Sequence, residues 1–135
     1  MIKSKFKIYK NNTGLLVPFS LKKDIPFNVK RIFIIHGKKG SERADHAHHK
    51  CSQYLVPISG SINLTYETKR GKFKKKLSLN DKKGILLKPM SWCKIKFNTN
   101  DSKIIVFCDR EYEYFDYIEY YDEYLKLIGK KRWIY

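Results

Sequence analysis

Nothing in this chain is long and apolar enough to cross a bilayer. The longest β-rich apolar stretch, Ile104-Ile105-Val106-Phe107-Cys108, falls far short of a span. The opening Met1-Ile2-Lys3-Ser4-Lys5 has no apolar core, which predicts no secretory signal. Cysteine is scarce and scattered, at 51, 93 and 108, with no CxxC pair. That excludes a disulfide framework and predicts a reducing, cytoplasmic setting. No repeat, linker or low-complexity block interrupts the 135 residues, so a single domain over 1–135 is expected. Acidic residues are also few. Thirteen Asp and Glu stand against 29 Lys and Arg, a net charge of +16. Such a charge points to an anionic partner, or to lysines on solvated faces. The alternate placement of Lys3, Lys5 and Lys7, and of Lys94 and Lys96, favours solvated outer faces of half-buried strands.

Short β-like runs fill the chain. Strands are expected near 2–9, 14–19, 29–36, 45–49, 52–58, 61–68, 72–78, 84–88, 92–98 and 103–108. Turn signals such as Asn11-Asn12-Thr13-Gly14, Ser59-Gly60 and Asn80-Asp81 separate them. Many short strands with regular punctuation predict an all-β sandwich or barrel rather than a βαβ sheet. One helix is expected, over about 116–128. Tyr117, Ile118, Tyr121, Tyr124, Leu125 and Ile128 share one helical face there. Asp116 and Glu119 have capping-box spacing, and Gly129 is placed to end the helix. The tyrosine stripe reads as packing against the sandwich.

The histidines carry the chemistry. Asp45-His46-Ala47-His48-His49 puts His46 and His48 on one face of a strand and His49 on the other. Two imidazoles on an inward face suit acid–base work or a metal. Gly40, five residues, His46-x-His48, four residues, Gln53, six residues and Gly60 resemble the first motif of the cupins, small antiparallel jelly-roll barrels. In that arrangement His46, His48 and Gln53 face the barrel mouth. Metal-binding cupins carry glutamate where this chain has Gln53, and a further histidine after a proline. Here Pro89 is followed by Met90-Ser91-Trp92-Cys93-Lys94. No metal and no other cofactor is therefore expected, with Cys93 as the one alternative ligand.

Five blocks resemble a narrower family, the dTDP-4-keto-6-deoxyglucose 3,4-ketoisomerases. They are Asp24-Ile25-Pro26-Phe27-Asn28-Val29-Lys30-Arg31-Ile32-Phe33, Arg43-Ala44-Asp45-His46-Ala47-His48-His49-Lys50, Gln53 through Ser61, Gly84 through Trp92, and Tyr112 through Ile118. The resemblance implies a jelly-roll homodimer, often with exchanged N-terminal strands. It also implies metal-free movement of a ketone from C4 to C3 of a dTDP-linked 4-keto-6-deoxyhexose. The product would feed synthesis of 3-amino-3,6-dideoxy sugars for surface polysaccharide. By this pattern His46 matches the base, His48 its partner, and Arg43 an arginine for the enediolate or a phosphate.

Three positions depart from the family: Phe33 where tyrosine is usual, Thr13 where arginine or tyrosine is usual, and Cys93 where histidine or arginine is usual. They are candidate substrate contacts that leave the product configuration at C4 open. Lys50 is a candidate for the pyrophosphate. Trp92 has two open readings, a flat wall for thymine or sugar and a core tryptophan. Two other functions compete. A 3,5-epimerase would need an acidic partner for its histidine, and the one nearby acid, Asp45, lies on the opposite strand face. A basic nucleic-acid module would explain the charge but not the His46-x-His48 spacing, so neither nucleic acid nor membrane is an expected partner.

Overall fold

The computed structural model describes residues 5–130. Residues 2–4 of the expected first strand, with Lys3, lie outside that range. The chain begins with a hairpin of β1 (Tyr9–Asn11) and β2 (Gly14–Leu16), followed by a one-turn helix α1 (Leu21–Asp24). Then come β3 (Arg31–His36), β4 (Glu42–His48), β5 (Gln53–Ser59), β6 (Ser61–Thr68), β7 (Gly71–Ser78), β8 (Ile85–Leu87), β9 (Trp92–Phe97), β10 (Lys103–Cys108) and β11 (Tyr117–Ile118). Helix α2 (Tyr121–Leu127) closes the order. Among the described residues, no helix is long and apolar enough to cross a membrane.

Two antiparallel sheets build the body, one in the order β3-β10-β5-β8 and the other β11-β4-β9-β6-β7. This is the all-β jelly roll that the strand pattern and the cupin-like spacing imply. Alternation places Leu55, Ile62, Leu64, Leu87, Ile95, Phe97, Ile104 and Val106 between the sheets, where they form the main core. Gly40 and Gly60 have φ of +82° and +69°, the left-handed region that favours glycine. Gly60 alone links β5 to β6, and a side chain there would strike Thr99 and Ser102. The lysine alternation also holds. On β6–β9, Lys96 pairs with Asn63 and Lys94 with Thr65, on the sheet face away from the core.

Two smaller cores cover the outer faces. Phe6, Ile25, Val56 and Phe107, with Phe19 and Phe27, pack on the outside of the four-stranded sheet. Ala47, Trp92, Ile118, Tyr124, Leu125 and Ile128 join α2 to the other sheet.

The two ends of the chain correct the sequence reading. Residues 5–8 are not strand, although Phe6 is buried and its N–H donates to the Lys82 carbonyl. The helix begins at Tyr121, not near 116. Asp116 does not cap it, because its carboxylate is drawn inward by the His46 motif, as described below. Tyr117 and Ile118 pair instead with His48 and Ala47 of β4 as strand β11. The far end is as expected: Gly129 takes φ +77°, and the Lys130 N–H donates to the Leu125 carbonyl.

Candidate active site

A cavity of about 350 Å³ opens between the two sheets. Its wall on β4 depends on a backbone irregularity. Arg43 pairs with Ile95 and His46 with Cys93, so both face inward beside inward-facing partners. Residues three apart on a regular strand face opposite ways. The pairing shifts between Ala44 and His46, and Ala44 and Asp45 both take left-handed φ, +69° and +66°. This bulge brings Arg43 and His46 to the same face. His48 follows His46 by normal alternation, with the two ring centroids 5.1 Å apart.

His48 is held from behind. Its Nδ1 lies 3.1 Å from Asp116 Oδ2. The same carboxylate accepts the N–H of Lys50 at 2.7 Å and of Cys51 at 3.2 Å. Burial pushes the Asp116 carboxyl upward, but these donors outweigh it and leave it below its ordinary value. Burial, the neighbouring His46 and Arg31 push His48 down to about 4, against the pull of Asp116. At neutral pH the contact is therefore a hydrogen bond from a neutral imidazole to a carboxylate. His48 Nε2 is buried and has no hydrogen-bond partner among the described residues. His46 is also pushed below its ordinary value by burial, offset in part by its hydrogen bond to the Ala44 carbonyl and by Glu119 and Asp45. A neutral imidazole that donates from one nitrogen keeps a lone pair on the other.

Gln53 and Leu87 line the opposite side, in a register row in which Arg31 of β3 pairs with Cys108 of β10, Cys108 with Gln53 of β5, and Gln53 with Leu87 of β8. The next row inward holds Phe33, Val106, Leu55 and Ile85. Arg31 sits above the rings of Phe33 and Tyr112, with its Cζ 5.4 and 5.6 Å from the centroids. The positive charge of Arg31 also offsets in part the burial that pushes the Tyr117 phenol above its ordinary value. The Tyr117 ring lies 5.0 Å from His46 and 4.3 Å from His48.

Of the residues singled out in the sequence, Arg43, His46, His48, Gln53, Phe33 and Cys93 line this cavity. Three do not line it within this chain. Thr13 is at the exposed tip of the β1–β2 hairpin, bonded to Asn11. Lys50 is exposed on the loop after β4, and its backbone N–H serves Asp116. Lys88 is the lysine on the cavity wall. Trp92 faces away from the cavity, because it is even-numbered on β9 while Cys93 points in. Its ring packs on Tyr121 and Tyr124, and its Nε1–H donates to Asp45 at 3.1 Å. Its core reading is the one the packing bears out. His36 also borders the cavity.

The sequence reading missed Arg31, Asp116 and Tyr117. All three lie inside the blocks that carried the resemblance, so the signal was present. The helical periodicity after Asp116 masked it. The expectation of no acidic partner near the histidines is corrected as well, since Asp116 is that partner. His48, Cys51 and Asp116 also offer potential metal-ligand atoms within 4.8 Å of one another. Cys93 is not in that group, and burial pushes its thiol up to about 12.

Comparison with known proteins places this geometry. The family model described as FdtA: WxcM-like, C-terminal, matches residues 2–129. A TDP-4-oxo-6-deoxy-alpha-D-glucose-3,4-oxoisomerase of Aneurinibacillus thermoaerophilus is 32% identical over 127 residues, 93% of this chain and 90% of that one. Among solved structures, QdtA of Thermoanaerobacterium thermosaccharolyticum, a sugar 3,4-ketoisomerase in complex with TDP, superposes with a TM-score of 0.82 at 29% identity. The match covers 92% of this chain and 90% of QdtA. WlaRA of Campylobacter jejuni, a TDP-fucose-3,4-ketoisomerase, gives 0.80 at 26% identity over 93% of both chains. With the inward histidine pair on a cupin-like jelly roll and a match spanning nearly its whole length, this chain belongs to the FdtA family.

Proposed function

We infer that the protein is a TDP-sugar 3,4-ketoisomerase acting on dTDP-4-keto-6-deoxy-D-glucose. The observation that carries the reading is the inward pair of neutral imidazoles, His46 and His48, in a chain 32% identical to a TDP-4-oxo-6-deoxyglucose 3,4-oxoisomerase. His46 takes the proton from C3, which the adjacent C4 carbonyl acidifies. The electron pair moves into a C3–C4 double bond and leaves an oxyanion at O4. Arg43 and the Tyr117 phenol, itself polarised by Arg31, stabilise that charge. The O3 proton passes to O4 through the free Nε2 of His48, with Nδ1 anchored on Asp116. Protonation at C4 then leaves the ketone at C3. Every step is a proton transfer that these side chains carry, and the proposed reaction uses no metal. Phe33 lacks the phenol usual at its position, and Tyr117 supplies one from the other wall.

The nucleotide end meets Lys88, the lysine that lines the cavity. The active species is a homodimer. Support lies in the exposed Ile32 and Ile34 on edge strand β3 and the exposed Tyr9, Leu15 and Leu16 on the hairpin. Sedimentation as a monomer at micromolar concentration would overturn that assignment.

The deciding experiment is incubation with dTDP-4-keto-6-deoxyglucose in D₂O, with and without a chelator, followed by NMR. Deuterium at C4 and a ketone at C3 in both samples are expected. The His48–Asp116 pair favours a second reading, a 3,5-epimerase. Deuterium at C3 or C5 with the C4 ketone retained would establish it.

A further inference from the structure

Cys51 takes no part in the proton transfers, yet it stands beside the carboxylate that holds His48. His48 ends β4, Cys51 follows two residues later on the loop to β5, and Asp116 directly precedes β11. Pairing of β11 with β4 brings Asp116 back to the other two. One ligand atom from each residue lies within 4.8 Å of the others. Of these, His48 Nδ1 and Asp116 Oδ2 are 3.1 Å apart. Tetrahedral zinc, with bonds of about 2.0–2.3 Å, holds its donors about 3.3–3.6 Å apart. The histidine and the carboxylate are therefore close to that spacing already. The Cys51 thiol joins them by turning about its Cα–Cβ bond, away from the Ser52 carbonyl to which it donates at 3.4 Å.

The surroundings suit an ion. The Asp116 carbonyl accepts the His49 N–H at 2.9 Å, and its carboxylate accepts the N–H groups of Lys50 and Cys51. Such bonds fix a carboxylate as the hydrogen bonds around a metal ligand do. All three residues are buried, so bulk water competes little for their donor atoms. His48 and Cys51 line the cavity, which gives an ion its way in and a place for water as the fourth ligand. Nitrogen, sulfur and one carboxylate oxygen form a donor set for zinc rather than for magnesium or calcium. His46 is not in the set.

We propose that His48 Nδ1, Cys51 Sγ and Asp116 Oδ2 form a zinc site that switches off His48. The effect on turnover rests on the ketoisomerase reading; the site itself does not. Zinc displaces the Cys51 thiol proton to water. The proton on His48 Nδ1 also leaves, and Nε2 takes one up, because a neutral imidazole bound through one nitrogen carries its N–H on the other. One proton is released for each ion bound. The relay needs Nε2 to accept from O3 before it gives to O4. With a proton fixed on Nε2 it can only donate, and the relay stops.

The test uses the full chain, reduced and stripped of metal, then titrated with Zn²⁺ by calorimetry and with Co²⁺ by absorption. One ion per chain is expected. Co²⁺ should show the strong visible bands of tetrahedral coordination and a sulfur-to-cobalt charge-transfer band in the near ultraviolet. Zn²⁺ should displace both. Cys51→Ser should abolish the charge-transfer band and weaken zinc by more than the roughly 10–100-fold typical of losing a hydrogen bond around a metal. Asp116→Asn should also weaken zinc; if that variant does not fold, wild type and Cys51→Ser decide. Cys93→Ser and His46→Asn should keep the band. A wild-type spectrum without the charge-transfer band, a band that survives Cys51→Ser, or one lost with Cys93→Ser or His46→Asn would overturn the site. Zinc should lower wild-type turnover in step with occupancy, and a chelator should restore it. The same zinc concentration should leave the turnover of Cys51→Ser unchanged. Full turnover at full occupancy would overturn the switch. Failure of the ketoisomerase reading would show separately, as no C3 ketone from the metal-free chain, and the binding spectra decide the site in either case.

Discussion

Ile35, Ile104 and Pro57 form one cross-strand row between the sheets, and Arg31, Cys108 and Gln53 form another on the same three strands. The first row needs only to exclude water, and its residues join the main core or border it. The second must satisfy a guanidinium, a thiol and an amide, and it does so by pairing them with one another. Facing the polar row, His46 and His48 are backed by a carbonyl and a carboxylate. The two ends are therefore held by different forces. The apolar end rests on packing with few alternatives, while the polar end rests on named donors and acceptors, leaving His48 Nε2 and Arg31 Nε unpaired among the described residues. A buried polar atom without a partner costs free energy, and a substrate oxygen would remove that cost.

The sharpest way to break this contrast is His46→Asn. Loss of a general base should lower kcat by about 10²–10⁴-fold. dTDP affinity, read by calorimetry, and the unfolding midpoint should change little. Retention of more than half of kcat would move the base to His48.

Phe97→Ala probes the opposite end. Phe97 is fully buried in the main core and lies against Gly37. Its truncation should cost about 3–5 kcal/mol in urea unfolding. Turnover per folded molecule should survive if the two ends are independent.

The third test is pH. An imidazole whose folded pKa lies below its unfolded value is neutral in the native state, and the unfolded chain binds the proton first. His48 falls from 6.5 to about 4. Its contribution is complete above pH 6.5 and is lost as pH falls toward 4, on the order of 3 kcal/mol across that window. His46 acts in the same direction. Unfolding midpoints at pH 7 and pH 5 should differ accordingly, and His48→Asn should shrink the difference.

The smallest effects concern cations. Lys88→Ala should weaken dTDP binding by about 1–3 kcal/mol if the lysine meets a phosphate. Lys50→Ala, whose side chain is outside the cavity, should change it by less than about 0.5 kcal/mol, as should Lys74→Ala on the outer sheet face. If Lys74→Ala weakens binding as much as Lys88→Ala, the net charge rather than the cavity holds the nucleotide.

Strand order along the chain was legible because alternation and turn residues are local. β10 appears where five apolar residues run between turn signals, and β5, β6, β7 and β9 match to within a residue at each end. Asp45-His46-Ala47-His48 was legible for the same reason, since two-residue spacing puts both rings on one face. The C-terminal segment was misread where two local signals competed. Tyr117, Ile118, Tyr121 and Tyr124 satisfy a helical period, but the first two are more stable paired to β4. Lys50 was placed near the pocket by its position beside the histidine motif, which a loop's exit overrides, and the two readings of Trp92 are separated only by the alternation of β9.

The amino-acid sequence by itself determined the all-β class, the inward histidine pair and the family, because each rests on residue type and short-range spacing. Only the tertiary structure decided that Arg43 shares a face with His46 and that Asp116 anchors His48. A bulge changes the face of a side chain without a signal in its spacing. A contact such as that between residues 48 and 116 exists only once distant strands have found their register.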